Sequence, residues 1–419
     1  MSERLTRRTA LKMGAAGALA FGIGRCGADI ADEERGSGLR QPHGVDDAAW
    51  AAVRADFMID PGVAYMNNAS LGMPPRQVVD AVAAGYAAIS EEPLHGKHDL
   101  QEAISERVMP RLSGLLGVTA GEISLTRNAT EALHLQTHGV RLRPGDEVLI
   151  TTQEHPAGSR PWHLRAVREG VRIVEVPIPS PLPPTDELVE LMASAVGPRT
   201  RAIAFCHVTR GGHLYPVAEL CAMARSHGLL SLVDGAQAVG QFPVHLRTLG
   251  CDAYSASLHK WMLGPVGTGF MFVNEASRGE IVTTFAPDAT IDAPQHAPPG
   301  TADFPVRAAI GSALDFVTTL GLERIEARCR YLSDYLKQRL DGLADVELLS
   351  GRRAQSAPGQ TIFEKAGLDA IASVRLLEQT GAVHIDEHQR DGHNAIRVST
   401  HIYNTTSEID RLVDALDRV

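Results

Sequence analysis

Cysteine is scarce in this chain of 419 residues: there are five, an odd number. Cys26 lies in the N-terminal stretch. Cys206, Cys221, Cys251 and Cys329 show neither a disulfide framework nor a zinc-type spacing, so the sequence predicts buried thiols and no metal site. Aromatic residues are also few, at 5%, and positive charge does not dominate. With 40 Lys and Arg against 50 Asp and Glu, the net charge of -10 argues against nucleic acid as a partner. There is no internal repeat and no low-complexity segment. A nucleotide-binding phosphate loop is missing as well. "GPVGTGF", the best candidate, carries no lysine and leads into an apolar strand pattern instead of a helix.

The apolar run Met13 to Gly24 within "TRRTALKMGAAGALAFGIG" is too short to span a bilayer. It follows the pair Arg7-Arg8, and the order of these features is that of a twin-arginine (Tat) export signal, assigned to residues 1–31. The expected location is the periplasm, reached already folded through the Tat machinery. Arg25 stands where a lipoprotein signal wants a small residue before Cys26. Residues 32–60 read as a spacer and N-terminal segment, polar and glycine-containing up to about residue 45.

Beyond it, short apolar runs alternate with amphipathic stretches, the pattern of an α/β fold. Helices are predicted over 76–90, 100–116, 131–140, 185–196 and 217–228. Strands are predicted over 147–151, 171–176, 202–206, 229–233, 252–256 and 268–273. Several are apolar on both faces, as in a mainly parallel sheet covered by helices on each side. A helical region over 305–343 leads to a strand-strand-helix-strand-strand-helix tail, whose last helix opens with Thr405 and Glu408 at capping-box spacing. The division is a large domain over 61–320 and a smaller α+β domain over 321–419.

The chemistry concentrates after strands, where a parallel sheet opens its ligand crevice. Asp234 ends "LLSLVD", with Gln237 three residues on; alone, Asp234 could equally be a helix cap. "RNATEALH" places Ala129 and Thr130 at a helix start, an anion site. His155 in "TTQEHPAG" could stack on a flat ligand or be structural. In "SASLHK", Ser257 and His259 are donors suited to a phosphate. Lys260 stands before apolar Trp261, where a lowered pKa would make it a nucleophile or base. One ligand fits the set: pyridoxal 5′-phosphate, with Asp on the ring nitrogen, His on the ring face and Lys in a Schiff base.

These segments, with "YMNNASLGMPP", "HVTRGGHLYPV", "GTADFPVRAAI" and "IRVSTHIYNTTSEIDRLVDAL", resemble in order and spacing the class V aminotransferases of fold type I, in the isopenicillin N epimerase-like branch. The resemblance covers the chain from about residue 55. It implies a large domain with a seven-stranded, mainly parallel sheet and a smaller C-terminal domain. Lys260 would be the aldimine lysine, Asp234 the pyridinium partner, Gln237 a neighbour of the ring hydroxyl and His155 the stacking residue. Ala129, Thr130, Ser257 and His259 would hold the phosphate. Thr301 would reach the phosphate of a second subunit, implying a homodimer with shared active sites. Arg397 would bind the substrate carboxylate, with Asn68 and Ser70 lining the pocket. Arg210 and His213 replace smaller residues of relatives, so Arg210 is a substrate-binding candidate or a surface charge. The stretch "LSGRRAQSAPGQTIF" lacks the mobile cysteine of cysteine desulfurases, which argues against that activity. Exported members of this branch include a periplasmic siderophore-tailoring enzyme. The expected function is therefore transaminase-like tailoring of an amino acid or amino-acid-derived metabolite, with epimerisation or C–S lysis as the alternative.

Overall fold

The computed structural model describes residues 42–285, 296, 300–351, 353–416 and 418; the expected export signal lies outside them. In chain order the strands are β1 (Ala64–Tyr65), β2 (Ile123–Thr126), β3 (Glu147–Thr151), β4 (Arg172–Val176), β5 (Thr200–Cys206), β6 (Leu230–Asp234), β7 (Ala253–Ser257) and β8 (Gly269–Val273), followed by β9 (Val346–Leu348), β10 (Gln360–Lys365), β11 (Val383–His384), β12 (Asp386–His388) and β13 (Ala395–Ser399).

The main sheet has seven strands in the order β2-β8-β7-β6-β5-β3-β4. Strands β7, β6, β5, β3 and β4 run parallel, and β8 is antiparallel to both its neighbours. Every residue of β3, β7 and β8 is buried, because helices cover both faces. The edge strand β4 exposes Arg172 and Glu175 to water, and β5 exposes Arg201 near its start. The second sheet has four antiparallel strands, β12-β13-β10-β9. Beside it, β1 pairs in parallel with β11, and Asn67 bridges to Ser399. The chain just before the first long helix is thus joined to the C-terminal strands. Residues 39–419 form one compact unit. Gly321, at φ +86°, separates the helices Ile310–Leu320 and Leu322–Asp341.

Three helical features differ from the sequence expectation. Asp47–Arg54 is a helix capped by the Asp46 side chain, with Trp50 and Val53 buried, inside the segment read as spacer. Pro156–Glu169 is a helix although Pro161 lies within it; Pro156 occupies its first turn, where no N–H is needed. The helix expected from residue 100 begins at Pro93 and runs to Leu115 with a π-helical turn over Ile104–Val108. Pro110, just beyond that turn, cannot donate to the preceding one, and the wider turn accommodates it. At the C-terminal end the capping box forms as expected: Glu408 Oε2 accepts from Thr405 N at 3.1 Å, and Thr405 Oγ1 accepts from Glu408 N at 3.3 Å. Cys206, Cys221, Cys251 and Cys329 are free and buried.

Candidate active site

The segments that follow five strands of the main sheet, β2, β3, β5, β6 and β7, each supply part of a single cavity of about 300 Å³. After β2, Asn128 caps the helix Ala129–Gly139 by accepting the Glu131 N–H at 2.9 Å. Ser257, the last residue of β7, accepts the Ala129 N–H at 3.0 Å. The helix start, Ser257 and His259 thus line one end of the cavity, a site for an anion. Glycine is needed at 269 for this closeness, since a β-carbon there would lie 2.8 Å from Asn128.

Asp234 closes β6 and is buried at 6% exposure. Its Oδ1 accepts the Ala236 N–H at 2.9 Å. Burial raises its pKa, while the Ala236 N–H and Lys260 oppose the rise. Lys260 lies three residues past β7. Burial brings its pKa down to about 8; Asp234 opposes this and the guanidiniums of Arg397 and Arg210 add to it. Among the described residues no acceptor holds its Nζ. Its backbone is fixed instead: Gly72 N donates to His259 O at 2.9 Å, and any side chain on Gly72 would strike the Lys260 carbonyl.

His155 caps the helix Pro156–Glu169, with Nδ1 accepting the Ala157 N–H at 3.1 Å. That bond places any ring hydrogen on Nε2. The ring lies at the exposed rim, and its pKa is brought down to about 4, first by partial burial and then by Lys260, Arg390, Arg210 and Arg397. Gln237 is fixed at both ends. Its Nε2 donates to Ala69 O at 2.9 Å and its Oε1 accepts from Trp261 Nε1 at 2.8 Å.

The second sheet roofs the cavity with Arg397, on β13, and Asp386, opposite it on β12. Arg397 donates to Asp386 and to Asn67 Oδ1, the latter at 3.3 Å. Arg210 donates to Asp386 Oδ2 at 3.2 Å, Glu387 O at 2.8 Å and Glu387 Oε1 at 2.9 Å. Among the described residues, the Nε atoms of both arginines are buried without a partner. Each is an unmet donor that a carboxylate could satisfy.

Of the residues predicted from sequence, Ser70, Ala129, Thr130, His155, Arg210, Asp234, Gln237, Ser257, His259, Lys260 and Arg397 all line this cavity. Asn68 does not. It is fully buried beside the lining residues Ala69 and Ser70, its Oδ1 accepting from Tyr403 Oη at 2.8 Å and its Nδ2 without a partner among the described residues. Thr301 is exposed and outside the cavity of its own chain. His213 packs away from it, with Nε2 2.8 Å from Ser180 Oγ. Sequence reasoning missed Glu154, Trp261 and Asp386. Glu154 directly precedes His155 and could have been noticed; Asp386 is brought to Arg397 only by strand register.

The fold and this cavity define a class: an α/β enzyme that holds an anionic, flat ligand beside a lysine of lowered pKa. The family follows from comparison. Residues 64–412 match the profile described as Aminotransferase class-V, and the chain belongs to that family, whose cofactor is pyridoxal phosphate. It is 32% identical to isopenicillin N epimerase of Amycolatopsis lactamdurans over 391 residues, covering 88% of this chain and 98% of the relative. It is 30% identical to a cysteine desulfurase of Escherichia coli K12, covering 88% and 97%. Among solved structures, a lysine mutant of C-DES with glycine covalently linked to its PLP cofactor superposes with a TM-score of 0.79 at 25% identity, over 87% of this chain and 98% of that one. The fold is PLP fold type I, and the protein is a pyridoxal-phosphate-dependent enzyme. The residues present fit this cofactor. Anion donors at the helix start, a buried carboxylate at Asp234 and the unheld amine of Lys260 border one cavity.

Proposed function

We propose that this protein acts at Cα of an amino acid or an amino-acid-derived metabolite, with amino transfer as its leading reaction. The bound cofactor supplies an aldehyde for the substrate amine and an electron-withdrawing ring. The chain's own residues do the rest. Ala129, Thr130, Ser257 and His259 hold the phosphate. Asp234 holds the proton on the ring nitrogen. His155, neutral at physiological pH, packs against the ring and shields it from water. Arg397 receives the substrate α-carboxylate on its unmet Nε. Lys260 then moves the proton at Cα.

One observation carries this reading: Lys260 is the cavity's basic amine, with its pKa brought down to about 8 and no acceptor on it among the described residues. A base poised close to working pH moves protons most effectively. His155, brought down to about 4, is unprotonated at physiological pH and carries no imidazolium proton for the opposite face of Cα. That favours a reaction in which a single base carries the proton over one needing an acid on each face. Epimerisation remains the second reading, because the relative from Amycolatopsis lactamdurans is an isopenicillin N epimerase. Desulfuration to a protein persulfide is disfavoured: Cys206, Cys221, Cys251 and Cys329 are all buried, and burial pushes each thiol up, Cys329 to about 12.

We also infer export through the twin-arginine signal of residues 1–31 and a periplasmic site of action, together with a homodimer in which exposed Thr301 reaches the partner's phosphate site. The test of the reaction is a screen of amino acids against the purified holoenzyme by absorption change, followed by product analysis. An amino group delivered to a 2-oxo acid supports the proposal. Release of pyruvate or ammonia, or exchange of the Cα proton without transfer, overturns amino transfer in favour of elimination or epimerisation.

A further inference from the structure

Behind Asp234 stands a second carboxyl group that the reaction above does not use. Glu154 is 8% exposed and directly precedes His155. Its Oε1 accepts from Thr151 Oγ1 at 2.6 Å and from Cys206 N at 3.2 Å. Its Oε2 borders the same small space as Asp234. A β-carbon on Gly158 would stand 3.4 Å from Glu154 Oε2 and 3.8 Å from Asp234 Oδ2. Glycine at 158 leaves that space open to the two carboxyls.

No cation among the described residues pairs with Glu154. The titratable groups that face it are Asp234 at the end of β6, the Cys206 thiol at the end of β5 and, beyond Thr151, the Tyr215 phenol. All three are acids, so none brings a positive charge to offset a second negative one; the Cys206 thiol and N–H favour the Glu154 carboxylate only as hydrogen-bond donors, and the charge of Asp234 opposes it. Lys260, the cation of this end of the cavity, acts on Asp234. Two adjacent buried carboxyls with one cation beside only one of them keep one proton, and it stays on the member farther from the cation. Burial, followed by the charge of Asp234, pushes Glu154 up to about 8 against the opposing hydrogen bonds.

We propose that Glu154 is a positioning residue for Asp234: a neutral carboxyl beside it that keeps the pair's single negative charge on Asp234, facing Lys260 and the cofactor ring nitrogen. This rests on the assignment of Asp234 to the ring nitrogen. Glu154 touches neither substrate nor cofactor. It supplies an O–H donor at Oε2 and holds its own charge away from the cavity. Were Glu154 ionised, Asp234 would be the carboxyl forced to take up the proton, and the ring nitrogen would lose its anionic partner.

The test begins on the cofactor-free protein, so it does not depend on the assigned reaction. pH-difference infrared spectroscopy should show the carbonyl stretch of a buried carboxylic acid at neutral pH, bleaching with a midpoint near pH 8. Glu154→Gln should abolish the band. Asp234→Asn should keep it and move its midpoint down, because the neighbouring charge that opposes ionisation is gone. Absence of the band, its survival in Glu154→Gln, or a midpoint unmoved in Asp234→Asn overturns the proposal. Pyridoxal phosphate affinity by equilibrium dialysis is the second readout. Glu154→Gln, which keeps a neutral donor, should bind within about threefold of the parent, and Glu154→Ala about tenfold more weakly, a factor equivalent to one pKa unit on Asp234. Equal weakening in both variants would sink the positioning role. A protein that binds no pyridoxal phosphate at all would sink the cofactor assignment while leaving the infrared result standing.

Discussion

The two sheets contribute groups of opposite kinds to one cavity. The main sheet supplies Asp234 and Lys260, charged groups with few partners whose proton affinities burial has moved toward neutrality. The second sheet supplies Arg397, which burial also disfavours as a cation, bringing it down to about 10, yet which arrives already paired with Asp386. An unpaired buried group is available to exchange protons; a paired guanidinium stays charged and can exchange only partners. Chemistry therefore belongs to the sheet whose strand ends leave groups unsatisfied, and recognition to the sheet whose ladder supplies counter-ions. Each variant below tests that division.

The largest effect is expected at Lys260. Lys260→Ala should lower kcat by about 10³-fold or more, the scale of losing a positioned acid–base group. Borohydride treatment of the parent holoenzyme should fix the coenzyme on the peptide carrying residue 260, and fail to do so in the variant. Retention of more than about a tenth of the activity would remove chemistry from the main sheet. Arg397→Ala comes next. Losing one member of a buried, charge-assisted pair costs about 2–5 kcal/mol. The loss should appear in KM, with kcat/KM falling about 30-fold or more. An effect confined to kcat would place Arg397 in the chemistry and blur the comparison.

The main sheet was the more legible of the two in the sequence. Its strands are apolar runs, since both faces are covered, and its active groups sit at fixed distances past strand ends. "LLSLVD" and "SASLHK" could therefore be read locally, and the cavity gathers them as expected. The second sheet was legible as a succession of elements but not as a surface. Asp386 meets Arg397 through cross-strand register, and Asn67 reaches it from 330 residues away in sequence. No local pattern encodes such pairings. The surroundings of Asn68 were hidden for the same reason: its partner Tyr403 belongs to a turn after β13. The helix Pro156–Glu169 was hidden because prolines usually break helices, whereas here one occupies the first turn and the other is packed into the interior.

Acid titration compares the sheets through their buried histidines. Burial brings His207, beside the main sheet, down to about 3, and His213 and His401, which pack near the second, down to about 4. In the unfolded chain each takes a proton near pH 6.5. Folded pKa values lie below unfolded ones, so the stability due to the neutral rings is fully present above about pH 6.5. It is lost as pH falls from there toward about pH 4. Each fully buried ring should contribute a slope of roughly 1.4 kcal/mol per pH unit in that window. Urea midpoints measured from pH 7 to pH 4 should fall accordingly. His401→Phe should flatten the curve by about one ring's share, even if the variant is less stable at pH 7. An unchanged slope in His401→Phe would mean that His401 titrates normally and is not held neutral by the second sheet.

The smallest effect is expected at Arg210, and it sharpens the division most. Arg210 follows β5 of the main sheet in chain order, yet its Nη2 donates to Asp386 and to both a carbonyl and a carboxylate of Glu387, which ties that nitrogen to β12. Its side chain is 16% exposed, which lets water replace a lost partner. Arg210→Gln should therefore raise KM by less than about tenfold and leave kcat within a factor of about two, the scale of a partly screened ion pair. Its remaining lever is the buried Nε without a partner. A substrate with a distal carboxylate would engage that donor, and KM for such a substrate would then rise selectively over KM for a substrate without one. Equal changes for both substrates would assign Arg210 to holding Asp386 in place. A selective change would assign it to recognition beside Arg397.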